Sequence, residues 1–281
     1  MSSILKDWNP VRPLLLLNMR RDLLWQFTKR NIQSGFRGSL LGVFWVVLSP
    51  LLMLALYTFV FGVVFGGSFE QFNAEGHLVR KDGASYALGI FLGLSVMSLI
   101  SGTLSSSATL IVSNPNFVKK VVFPLEVLPV AQVGNLAFNF SISLGLCLIG
   151  AILVGDGFCM AWIWLPLIIL PSVFISLGIG WLLASLGVFF RDIAQLTQFL
   201  GMVLLYASGV FYSVGKIPET YWNFLKFNPI LHIVDQLRQA ILWQEIPDRN
   251  ILIMLWVSSL VVFQLGYWVF QRLRSDFADV L

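Results

Sequence analysis

Chemically capable side chains are sparse in this chain, and their spacing assembles no catalytic centre. The only histidines, His77 and His232, stand too far apart in sequence to suggest a metal pair, and no HExxH occurs. Cys147 and Cys159 form neither a CxxC nor another metal spacing. Cys147 lies in an apolar run and behaves as a small hydrophobe. The one Gly-Lys pair, Gly215-Lys216, is followed by Ile217 and lacks the upstream glycine of a phosphate loop, so the sequence carries no P-loop ATPase site. Asp22, Glu126 and Asp192 are scattered singly, not paired as acid and base. No carboxylate series of the kind used by proton- or sodium-coupled carriers falls within an apolar stretch. These absences argue against a secondary transporter and leave a passive channel or a pore driven by a partner's energy.

The elements that hold these residues are set by where charge is missing. Asp, Glu, Lys and Arg are absent from 38–69, 83–118, 127–155, 157–190, 193–215 and 251–271. A bilayer core of roughly 30 Å needs about 20 apolar helical residues, and each interval can supply them. The chain is 57% hydrophobic and 11% charged, where a soluble domain carries about 25% charged residues. The expected fold is an all-α membrane protein with six transmembrane helices over 36–69, 84–113, 127–155, 161–190, 193–213 and 250–271. Pro50 is expected to kink the first. Placing both termini in the cytoplasm puts twelve Lys and Arg inside and six outside, which the positive-inside rule selects over the reverse threading. No cleavable signal peptide is expected, because Lys6, Asp7 and Arg12 interrupt the start.

The interruptions have characters of their own. Over 14–33, Leu16, Met19, Leu23 and Phe27 share one helical face while Arg20, Arg21, Lys29 and Arg30 crowd the rest, as in a basic amphipathic helix lying in the inner interface. It serves equally as a topogenic signal. At 114–124, Asn114 suits an N-cap and Pro115 the first helical position. The short helix carries Phe117, Lys119 and Lys120 and reads either as a docking element for a cytoplasmic partner or as a solvated connector. Trp162 and Trp164 fit an interfacial aromatic belt. From 216 to 245 a moderately apolar segment is broken by Asn228-Pro229 into pieces too short to cross. They are expected on the outer side, as helices lining or gating a path or as a plain amphipathic lid.

Several stretches together resemble the polysaccharide-exporting membrane subunits of ABC transporters, the ABC-2 type permeases that move O-antigen, capsule or teichoic acid chains. They are Trp25-Gln26-Phe27-Thr28-Lys29-Arg30 leading into Phe36-Arg37-Gly38-Ser39-Leu40-Leu41-Gly42, then Trp45 and Pro50-Leu51-Leu52-Met53. Phe123-Pro124-Leu125-Glu126-Val127-Leu128-Pro129, Phe190-Arg191-Asp192-Ile193 and Asn228-Pro229 follow in order. The resemblance is nearest to O-antigen exporters, with drug- or lipid-exporting ABC-2 permeases as a further alternative. It implies a homodimer in the bacterial inner membrane, with two separate nucleotide-binding subunits that bind ATP and Mg, so that this chain needs no cofactor. Its cargo would be a polysaccharide on an undecaprenyl diphosphate carrier, and no nucleic-acid partner is expected. It also implies that Arg30 with Asn114, Pro115, Phe117, Lys119 and Lys120 meets the ATPase, and that the outer pieces around Asn228 and Pro229 form a gate. Arg37 at the entrance would meet the diphosphate or act as a snorkelling anchor. Because sugar C–H faces stack on aromatic rings, Tyr57, Phe61, Tyr206, Phe211 and Tyr212 are expected to ring the outer half of the pore, the other reading being a lipid-facing belt.

Overall fold

A computed structural model describes residues 12–35, 38–72, 78–119, 123–154 and 157–281. Arg37 and Lys120 lie outside the described residues. The basic amphipathic segment forms two helices, α1 (Arg12–Met19) and α2 (Arg21–Ser34). The first apolar interval is helical only from α3 (Trp45–Tyr57), preceded by a single 3-10 turn at Gly42–Phe44. Gly38 and Gly42 both take positive φ, which holds the chain out of a right-handed helix before that point. Helix α3 runs through Pro50 and widens at Thr58–Val64 into π-helical turns. The irregularity thus falls after Thr58, whose hydroxyl donates back to the Leu54 carbonyl, and not as a break at the proline.

Between the first two apolar helices stands a hairpin of β1 (Ser68–Phe72) and β2 (Leu78–Asp82), antiparallel with Glu70 opposite Arg80. It presents Phe69 inward, 2% exposed, against the Tyr86 ring at 4.6 Å. Next come α4 (Gly83–Ser107), α5 (Pro115–Lys119) and α6 (Val127–Val154). After them lie α7 (Leu165–Phe189), led by a 3-10 turn, and α8 (Ile193–Ala207). The broken segment becomes α9 (Glu219–Leu225) and α10 (Pro229–Arg238), the latter extended by π turns at Gln239–Trp243. The chain closes with α11 (Arg249–Leu273) and the short α12 (Phe277–Val280).

Five of the described helical stretches are long and apolar enough to cross a membrane: Trp45–Val64, Gly83–Ser107, Val127–Val154, Met160–Phe189 and Arg249–Val280. The helix in the fifth expected interval, α8, has 15 residues, about 22 Å at 1.5 Å per residue. Helix α4 is the hub. Its span window is 78% buried within the chain, against 6% for the first span, and it packs on α6, α7, α8 and α10. Helices α7 and α11 cross at Gly178 and Gly266, where a Cβ on either glycine would collide with the other helix's backbone, the close approach that small residues permit between spans.

Candidate functional site

Three regions gather the polar and aromatic residues. At the end of the bundle away from the hairpin, α2 and α5 are joined by an aromatic triad. Phe27 lies 5.7 Å from Phe117 and 5.1 Å from Phe123, and Phe117 and Phe123 are 4.6 Å apart. Arg30 sits one turn on, its guanidinium 4.3 Å from the Phe27 ring centre. Helix α2 is held on α6 by close packing of Thr28 over Gly134. Pro115 and Lys119 are exposed beside the triad. Asn114 closes the preceding turn, its amide donating to the Leu110 carbonyl at 2.9 Å. Behind this surface, buried Glu126 pairs with Arg274 at 2.9 Å, and the Trp181 indole donates to the Glu126 carbonyl at 3.1 Å. The end of α11 and helix α7 are thereby fastened to the segment that leads into α6.

The second region is a groove between α3, α4 and α8. One cavity of about 610 Å³ is lined by Tyr57, Ser98, Ser101, Ser105, Thr197 and Gln198. The serine hydroxyls donate to carbonyls of their own helix: Ser98 to Ser95, Ser101 to Met97 and Ser105 to Ser101. Their oxygen lone pairs remain to accept. At the far end of α3 the aromatics form a connected strip. Tyr57 and Phe61 are 6.0 Å apart, Phe61 and Phe211 5.8 Å, and Phe211 and Tyr206 5.9 Å. The Tyr212 hydroxyl joins the same group by donating to the Tyr206 carbonyl at 2.7 Å. All five aromatics singled out in the sequence therefore meet, and Tyr206 is 62% exposed.

The third region lies where α8 ends and α10 begins. Asn228 caps α10 by accepting the Ile230 N–H at 3.0 Å, with Pro229 at the first turn. Its amide donates to the Ala207 carbonyl at 3.1 Å and the Ser208 hydroxyl at 3.2 Å, tying α10 to the end of α8. Helix α10 is not the two-faced amphipathic element its polar residues suggest. His232, Gln236 and Arg238 are buried together with Ile233, Val234 and Leu237. His232 bonds the Lys226 carbonyl at 2.8 Å, and Gln236 accepts the Asp248 N–H at 2.8 Å, so their polar atoms are satisfied without solvent.

Arg238 is the residue that sequence reasoning missed. Its guanidinium donates to the carbonyls of Gly89 (3.0 Å), Gly209 (2.6 Å), Tyr212 (3.2 Å) and Val210, and stacks 4.3 Å over Phe69. Beyond Ala207 the backbone leaves the helix, with Gly209 at φ +64°, and the carbonyls released there need donors. A planar fork of five N–H groups supplies them. One signal was available: Arg238 stands four residues after Val234 and three before Ile241, on the same helical side as these apolar residues.

The long apolar helices make this a multi-pass membrane protein. The chain belongs to the ABC-2 type transporter family, whose sequence profile matches residues 22–242. It is 24% identical over 261 residues to the O-antigen export system permease protein RfbA of Klebsiella pneumoniae, covering 92% of this chain and 95% of that one. Against the protein of the same name from Myxococcus xanthus it is 25% identical over 271 residues, covering 96% and 99%. The polysialic acid transport protein KpsM of Escherichia coli is 24% identical over 245 residues, covering 86% and 90%.

Proposed function

We propose that this chain is the membrane permease subunit of an ATP-driven exporter. It carries undecaprenyl-diphosphate-linked polysaccharide, of the O-antigen kind, from the cytoplasm to the outer side of the bacterial inner membrane. The observation that carries the reading is the aromatic strip Tyr57–Phe61–Phe211–Tyr206 at the end of a hydroxyl-lined groove. Alternating C–H faces and hydroxyl edges of a sugar chain match such a surface without a deep binding well. In this reading α8 supplies the fifth of six crossings, completed by the stretch after Ala207 whose carbonyls Arg238 takes up. Both termini then lie in the cytoplasm, as the distribution of Lys and Arg requires. The first span, hardly buried within one chain, and the exposed face of α8 meet a second copy, so that two grooves face one conduit. Energy comes from two ATPase subunits docked on the Phe27–Phe117–Phe123 surface. The likeness to a polysialic acid transport protein supports capsule as a second cargo class for the same architecture.

The test is export in a strain deleted for this gene and complemented with wild type or with Tyr57, Phe61, Tyr206 and Phe211 all replaced by Ala. The quadruple variant should accumulate in the membrane and copurify with its ATPase, yet deliver much less surface polysaccharide. Unchanged export would remove the aromatic strip from the mechanism.

A further inference from the structure

A second cavity, of about 550 Å³, opens beside Arg238 on the outer hairpin. This is within the roughly 300–1,000 Å³ usual for small-molecule sites. Its walls come from three elements that the sequence separates widely: Phe69 and Glu70 of β1, Ser213 and Lys216 after α8, and Asp235, Gln239 and Trp243 of α10 and its π extension. The Gln239 amide donates to the Asp235 carboxylate at 2.9 Å, leaving its second N–H and the remaining carboxylate lone pairs. Ser213 lies in the same wall with its Oγ turned away from the open space. Half-buried Trp243 supplies an apolar wall. At the rim Lys216 pairs with Glu70 at 3.4 Å.

The charges balance: Lys216 against Glu70, and Arg238 against Asp235, with the Arg238 fork already spent on backbone carbonyls. A diphosphate or other anion would therefore find no unopposed cation. A neutral polyhydroxylated ring fits better, with its hydroxyl edge towards Asp235 and Gln239 and a C–H face on Trp243. We propose that this cavity is a sugar-binding subsite that holds one pyranose unit of the polymer as it leaves the groove. The proposal rests on the exporter reading. It adds a place where the chain is held against slipping back, built on the same Arg238 that fixes the α8 exit.

The test uses Gly215→Cys, an exposed lining position where an added Cβ meets nothing, in a Cys159→Ser background, with the whole transporter in nanodiscs; Cys147 is fully buried. Modification by a biotin maleimide is timed with and without the oligosaccharide released by mild acid from the strain's own surface polysaccharide. Inorganic pyrophosphate is the competing probe. Oligosaccharide should slow labelling about fivefold, the factor expected at four times the dissociation constant, and pyrophosphate should not. Gln239→Ala should abolish that protection. For a protein with no engineered cysteine, saturation-transfer NMR should detect the oligosaccharide on wild type and lose it with Gln239→Ala. Protection by pyrophosphate alone, or by neither probe, with no NMR transfer, would overturn the subsite. If deletion of the gene abolishes surface polysaccharide while these binding results fail, the subsite falls and the exporter reading stands. If deletion leaves the polysaccharide intact, both fall.

Discussion

Replacing Arg238 should loosen the outer end of the molecule, and the size of the effect follows from its partners. The guanidinium bonds four backbone carbonyls on two separate segments and lies over Phe69. Arg238→Met keeps an apolar stem but leaves those acceptors without donors and Asp235 without its cation. Removing one partner of a buried charged group typically costs about 3–5 kcal/mol. Arg238→Lys keeps the charge and three donors but not the planar fork, so one or more carbonyls go unmet, at about 1–3 kcal/mol. Limited trypsin digestion of the purified protein in nanodiscs reads this directly, because exposed Lys216 and half-buried Lys226 lie in the loosened segment. With each 1.4 kcal/mol worth tenfold, Arg238→Met should be cleaved at least about 100-fold faster there when opening is fast relative to cleavage. Arg238→Lys should fall between it and wild type. If Arg238→Met accumulates normally and is cut at the wild-type rate, Arg238 does not hold this end together.

Four further outcomes are expected. Gly266→Leu should abolish membrane accumulation, because the side chain would collide with the backbone at Gly178. Gly145→Ala, with nothing near the new Cβ, should be tolerated and gain up to about 1 kcal/mol of helix stability, read as thermal retention in detergent. Phe117→Ala should leave insertion intact but reduce copurification of the ATPase, since Phe117 connects the exposed Pro115 and Lys119 to α2. Exchanging the Glu126–Arg274 pair as Glu126→Arg with Arg274→Glu should restore part of the membrane level lost in either single variant, a double-mutant test of their coupling.

Much of the architecture was visible in one dimension, for a physical reason. In a bilayer a spanning segment has to be apolar along its whole length, so absence of charge marks it locally. The break at Asn228-Pro229 was equally legible, since Pro229 has no N–H to donate and Asn228 is a natural cap. The meeting of Tyr57 and Phe61 with Tyr206 and Phe211 could be anticipated because both pairs fall at the same expected depth. What stayed hidden were partnerships between single residues far apart in the chain. Glu126 and Arg274 are 148 positions apart, and nothing local in either segment names the other. The hairpin 68–82 reads as loop because its inward residue, Phe69, is buried by Tyr86 and Arg238 and not by an alternating pattern of its own. Helix α10 looks amphipathic because its polar side chains are satisfied by neighbours that the sequence does not place beside it.

The backbone contact at Gly178 and Gly266 also divides the molecule into parts with different freedom. Two spans that touch main chain to main chain have no side-chain layer to shear, so α7 and α11 must travel as a single strut, with Glu126 and Arg274 as its foot. The first span makes its main-chain approach near its end, Gly62 against Gly83 at the start of α4. Most of its surface faces outwards, and its π turns lie beside the hairpin that leans on Arg238. Any widening of a path along α3 and α8 is then borne by the lightly held first span, swinging against a fixed post.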